Sequence, residues 1–110
     1  MNKFEKISAM IDNTPMLEIS LKYQGLRRKI YAKAEYYNFT GSIKDRIAYN
    51  ILKGSYEAGL IKRGDIIAEA SSGNTGIAFS AIGAYLGNPV HIFMPDWMRA
   101  MVLIVQQSRR

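Results

Sequence analysis

Apolar and polar residues alternate over residues 16–20 and, more clearly, over 30–36, where Ile30, Ala32, Ala34 and Tyr36 fall on one side. A period of two marks an extended strand, and the tyrosines favour that form. From residue 44 to about 58 the spacing changes. Ile47, Ala48, Ile51 and Leu52 recur at helical intervals, and Gly59 supplies a stop. Gly54 weakens that helix by about 1 kcal/mol relative to alanine. Residues 65–69 read as a short buried strand. Residues 74–86 read as a second helix, with Ile77, Ala78, Ala81, Ile82 and Tyr85 on one face and Gly87 at its end. Residues 90–94 make a third strand, closed by Pro95.

Strand, helix, strand, helix, strand with short links predicts an α/β fold. Its centre is a parallel β-α-β-α-β unit with right-handed crossovers. Ligands of such sheets bind beyond the carboxyl ends of the strands, where both glycine-containing loops of this chain fall. Residues 16–20 form a further short strand after the turn at Asn13-Thr14-Pro15.

Composition narrows the class. The chain has 110 residues, 48% hydrophobic and 22% charged, which is globular rather than disordered. The net charge of +6 includes a run at Arg27-Arg28-Lys29. The other cations are scattered among acids, as on a solvated face, so no nucleic-acid partner is expected. There is no cysteine and a single histidine, His91, so no thiolate or histidine metal site is expected. Residues 77–94 are too interrupted for a membrane span, and no leader pattern opens the chain. A cytoplasmic protein without membrane contact is the simplest expectation. Residues 99–105 form an apolar patch without turn or cap, an aggregation risk if uncovered.

Two loops carry candidate chemistry. Gly41-Ser42-Ile43-Lys44-Asp45-Arg46 opens the first long helix. A lysine attacks an aldehyde only as the neutral amine, which burial and the positive end of a helix both favour. Gly41 permits a tight turn, and the Ser42 hydroxyl can cap the helix. Asp45 and Arg46 cannot share the lysine's face and are expected to serve the helix dipole and an ion pair. Ser71-Ser72-Gly73-Asn74-Thr75-Gly76 opens the second helix, with three hydroxyls, an amide and two glycines. Free N–H groups there suit a carboxylate or phosphate. The bland alternatives are a surface lysine beside an ordinary cap and a purely structural strand-to-helix turn. A dinucleotide fingerprint lacks its preceding glycine, and a P-loop lacks Gly-Lys-Ser/Thr.

At these residues the chain resembles the cysteine synthase and cystathionine β-synthase family of pyridoxal-phosphate enzymes, with the tryptophan-synthase-β-like fold. Asn13-Thr14-Pro15-Met16 is similar to the family's Asn-Thr-Pro-Leu turn. Residues 38–46 resemble its cofactor-lysine motif, Asn-Pro-Thr-Gly-Ser-x-Lys-Asp-Arg. Residues 69–76 resemble its Thr-Ser-Gly-Asn-Thr-Gly substrate loop. The match covers roughly residues 5–98. It implies a truncated N-terminal piece of a two-domain fold type II enzyme. Residues 1–30 would belong to the large domain, 31–96 to part of the small cofactor-binding domain, and 97–110 to a divergent tail.

The resemblance also implies the cofactor, pyridoxal 5'-phosphate, and the roles of residues. Lys44 would hold the cofactor aldehyde and later shuttle the α-proton. Asn74 would bond the cofactor's 3′-oxygen, while Ser71, Ser72, Gly73 and Thr75 would bind the amino-acid carboxylate. The implied reaction is β-replacement on an activated serine, as in cysteine biosynthesis. Three departures stand out: Phe39 for proline, Ser71 for threonine, and Asp12 for a glycine in a turn needing positive φ. The family's phosphate-binding loop and the side chain facing the pyridine nitrogen belong to later segments. The 110 residues alone are therefore expected to be inactive. The alternative is a non-catalytic interaction piece docking on a full-length relative or assembling with itself. Threonine synthase, a relative with a Ser-Ser-Gly-Asn loop, is the runner-up within the family.

Overall fold

The computed structural model describes residues 2–96. The apolar stretch 99–105, Trp97 and the rest of the expected tail lie outside them. The chain opens with a short helix α1, Lys3–Ser8, that the hydrophobic pattern did not mark. Its signal is a capping box. Asn2 accepts the Glu5 N–H at 2.8 Å, and Glu5 accepts the Asn2 N–H at 2.9 Å.

Strands β1 (Met16–Tyr23) and β2 (Leu26–Lys33) follow as an antiparallel hairpin. Gln24 and Gly25 at its tip both have positive φ, 49° and 77°, the geometry that suits a two-residue hairpin turn. This corrects the expected topology, in which 30–36 led the parallel sheet. The tight turn pairs β2 with its immediate neighbour, and the chain leaves extended geometry at a 3-10 turn, Glu35–Tyr37. Local pairing closes a far shorter loop than a crossover would.

The parallel part of the α/β fold is the unit β3 (Ile67–Ala70), α3 (Asn74–Leu86) and β4 (Val90–Phe93). Ile67 pairs with Val90 and Ala70 with Phe93. Helix α3 covers the face of Ile67, Val90 and Ile92, while Ala68, Ala70, His91 and Phe93 are exposed. Helix α2 (Lys44–Glu57) packs against the other side of α3. It ends at Gly59, φ 70°, and α3 ends at the left-handed Gly87, as the pattern predicts.

The core lies between these helices and α1. Ile7, Ile11, Ala48, Leu52, Ala78, Phe79, Ile82 and Leu86 form one buried cluster. Ala48 and Leu52 were expected there. Ile47 and Ile51 were too, but they lie with Ile43 on an exposed stripe of α2. Burial on α3 is likewise shifted, to Ala78, Phe79, Ile82, Gly83 and Leu86, because the helix is gripped from two sides.

The radius of gyration is 17.1 Å, against about 13 Å for a compact domain of this size. Leu17, Ile19, Tyr23, Leu26 and Ile30 share one face of the hairpin by register and are all exposed.

Candidate functional site

The lysine loop is held from both sides. Gly41 takes φ +89°, and its N–H donates to the Asn38 carbonyl. The backbone N–H and hydroxyl of Thr40 both donate to Asp45, the former at 2.5 Å. Asp45 is fully buried. It lies in the first turn, as expected for a dipole partner, and also ties the helix start to its own loop. The Ser42 hydroxyl accepts the Lys44 N–H at 3.2 Å, but the N-cap position is Ile43, which has no side-chain cap, so Ser42 stands one residue before the expected capping place. Phe39, where the motif has proline, packs against the core cluster.

Arg46 makes the expected ion pair, and more. Its Nε and one terminal nitrogen each donate to a separate oxygen of Glu35 at 2.8 Å, a bidentate fork. The same nitrogen reaches Thr14 Oγ1 at 3.3 Å, and the other pairs with Asp12. Glu35 also accepts from the Thr14 hydroxyl at 2.6 Å and the Asn38 amide at 2.8 Å. Asn38, itself buried, accepts the Asp12 N–H at 2.8 Å. Asp12 does adopt the left-handed φ, 73°, that a glycine would take easily. Asp12, Glu35 and Asn38 were not picked out from sequence as members of a site. Both motifs were visible, but their contact across 34 residues was not.

The clasp shifts its own titrations. Hydrogen bonds from Arg46, then Thr14 and Asn38, lower the Glu35 carboxyl from its ordinary 4.5 to about 2. The Asn13 backbone, then Arg46, lowers that of Asp12. A lowered carboxyl contributes stability that is complete above the unfolded value and is lost as pH falls through the folded one. Melting temperature should therefore drop between pH about 4.5 and about 2. Glu35→Gln should melt lower at pH 7 and flatten that drop. An unchanged acid limb in the variant would show that Glu35 is not its cause.

Lys44 itself is half-buried, and its Nζ bonds to no group among the described residues. The second loop is organised around Ser71. Its hydroxyl accepts the Gly76 N–H at 2.8 Å and the Gly73 N–H at 3.3 Å. A Cβ at Gly76 would stand 3.2 Å from that hydroxyl and 3.3 Å from Ile92. Ser71 therefore acts inward as an acceptor, with its own proton left to donate. The N–H groups of Asn74 and Thr75 have no acceptor among the described residues, and the Ser72 and Asn74 residues are exposed. Gly73 caps α3 without a side-chain bond. The result is an open helix N-terminus suited to an anion.

The two loops open on the same side. Tyr56, near the end of α2, donates to Asn88, just beyond the end of α3. Ala48 and Leu52 share the core with Ala78, Phe79 and Ile82. Helices that touch at their carboxyl ends and along their middles run in the same direction. Lys44 and the 71–76 loop therefore emerge at one end of the layer. An amine unbonded among the described residues and two open backbone amides thus stand at the same end of the layer.

Residues 7–108 match the family profile described as "Pyridoxal-phosphate dependent enzyme". The chain belongs to that family. The match runs past Met98, where the motif resemblance stops. Among curated relatives, the cysteine synthase of Dictyostelium discoideum is 40% identical over 86 residues, which is 78% of this chain and 23% of that protein. Rat (Rattus norvegicus) cystathionine β-synthase is 42% identical over 90 residues, 80% of this chain and 16% of the relative. These place the family member in the cysteine synthase and cystathionine β-synthase branch. Among solved structures, a hydrogen sulfide-producing enzyme from Fusobacterium nucleatum superposes with a TM-score of 0.85 at 50% identity, over 94% of this chain and 32% of that one. An O-acetyl serine sulfhydrylase from Entamoeba histolytica gives 0.80 and 34%, over 97% and 32%. The fold type II architecture follows from these. The chain spans about a third or less of the length of these relatives.

Proposed function

We propose that these residues form the lysine-bearing wall of a pyridoxal-phosphate site for β-replacement on an activated serine, as in cysteine synthesis. The observation that carries this reading is that Lys44 Nζ, unengaged among the described residues, lies at the same end of the layer as the amides of Asn74 and Thr75, open among the same residues. When bound, the cofactor supplies an aldehyde and an electron sink. Lys44 Nζ would hold the cofactor at its aldehyde and would take the substrate's α-proton. The Asn74 side chain would bond the cofactor's ring oxygen. Ser72, Thr75 and the two open amides hold the substrate carboxylate, and Ser71 adds its remaining proton while fixing Gly73 and Gly76.

Residues 31–96 would make the cofactor-facing domain and 1–30 would pack with the larger one, although β2 runs across that boundary. Among the described residues no helix is long and apolar enough to cross a membrane. We place the protein in the cytoplasm, acting on a small amino acid. The 110 residues alone would hold the cofactor without turning over substrate. A visible absorption band should form when pyridoxal phosphate is added, and O-acetylserine should change it. A featureless spectrum, or a band indifferent to O-acetylserine, would overturn the reading.

A second reading is favoured by the hairpin. Its apolar face, Leu17, Ile19, Tyr23, Leu26 and Ile30, is a large exposed patch of the kind that marks contact with another protein. On that reading the chain docks on a full-length relative. Light scattering of the chain mixed with such a relative tests it, and two unshifted peaks would reject it.

A further inference from the structure

We propose that Arg46 is a positioning residue for Lys44, and that Asp12 is a working part of its clasp. This inference rests on the function proposed above. Residues two apart on a helix point roughly 200° away from each other. Arg46 therefore pulls on the back of the first turn of α2 while Lys44 faces the other way. Asp45, between them, is bound to Thr40. Two sides of the turn are thus fixed, and the third carries the amine. The guanidinium ties its own helix to two other pieces of chain, the turn at Asp12 and Thr14 and the 3-10 turn at Glu35.

The Glu35 carboxylate is saturated by this arrangement, with two donors on each oxygen. A fully satisfied charged network of this kind is rigid. Asp12 bears on it in a way that glycine could not. It sits in a left-handed backbone, which glycine enters most easily and aspartate tolerates, and it brings a third acceptor to Arg46. The contact held by Asp12 is with the residue that sets the direction of the lysine turn.

The test is lysine labelling in the full 110-residue chain. Pyridoxal phosphate is added, borohydride is used to fix the adduct, and peptide mapping gives the label at Lys44 relative to Lys53, which lies further along the same helix. Arg46→Ala should lower that ratio about tenfold, and Arg46→Lys about as much, because an ammonium cannot fork onto Glu35. Asp12→Gly should lower it about threefold while melting no lower than the parent, since glycine relieves the left-handed backbone. A purely supportive clasp predicts the reverse: labelling tracks melting temperature, and Asp12→Gly labels as the parent does. If Arg46→Ala does not fold, Asp12→Gly decides alone. Failure of the parent to label at Lys44 would refute the proposed function. Equal labelling of parent and Asp12→Gly would refute only the clasp.

Discussion

Lys44→Ala should abolish stable pyridoxal phosphate attachment, leaving only slow, scattered labelling of surface lysines, about a tenfold fall in total incorporation. The magnitude follows from the competitors. Lys3 donates to the Tyr85 carbonyl, Lys33 to that of Thr14, Lys29 pairs with Glu18, and Lys53 with Glu57. These amines must give up a bond to react. Lys6, Lys22 and Lys62 have no such bond among the described residues but sit on exposed surface. Among the described residues, only Lys44 combines an unengaged amine with a backbone fixed on both sides. The variant should melt as the parent does, because no described contact is lost with its side chain. Equal incorporation in parent and variant would show that attachment is not directed by the fold.

Gly83→Ala should destabilise the chain by about 1–3 kcal/mol, the usual cost of overpacking. A Cβ there would overlap Val90 Cγ2, lie 3.2 Å from the Asn88 carbonyl and 3.7 Å from Ile67 Cδ1. The carbonyl belongs to backbone that cannot rotate away, and Val90 is held in β4. Gly54→Ala is the matching control. Nothing stands within 4 Å of its Cβ position, so it should gain about 1 kcal/mol from helix propensity alone. The same substitution thus takes opposite signs on two helices. Thermal melts of both variants check the pair. Stabilisation by Gly83→Ala would mean that α3 sits further from β4 than described.

Much of this was legible in the chain. The boundaries of α3, the end of α2 at Gly59 and the extent of β4 follow from apolar spacing and glycine placement, both local signals. The two candidate loops were legible for the same reason: each is a strand-to-helix or loop-to-helix junction with its chemistry written within six residues. What failed was non-local. Residues 30–36 alternate equally well in a parallel sheet or a hairpin, and only the paired positive φ at Gln24 and Gly25 decides between them. Ile47 and Ile51 obey helical spacing as well as Ala48 and Leu52 do, but α2 carries two apolar stripes and only one meets α3. The Arg46 clasp was invisible because its acceptors come from positions 12, 14 and 35. No pattern along the chain links them.

Backbone amide NMR of the labelled chain during a pyridoxal phosphate titration, followed by O-acetylserine, tests most directly whether one cleft is shared. The account predicts that Lys44 and its loop respond to the cofactor, with Asn74 shifting in the same step, and that Ser72, Asn74 and Thr75 shift again with the amino acid. Perturbation confined to Lys44, with residues 71–76 silent throughout both additions, would contradict it.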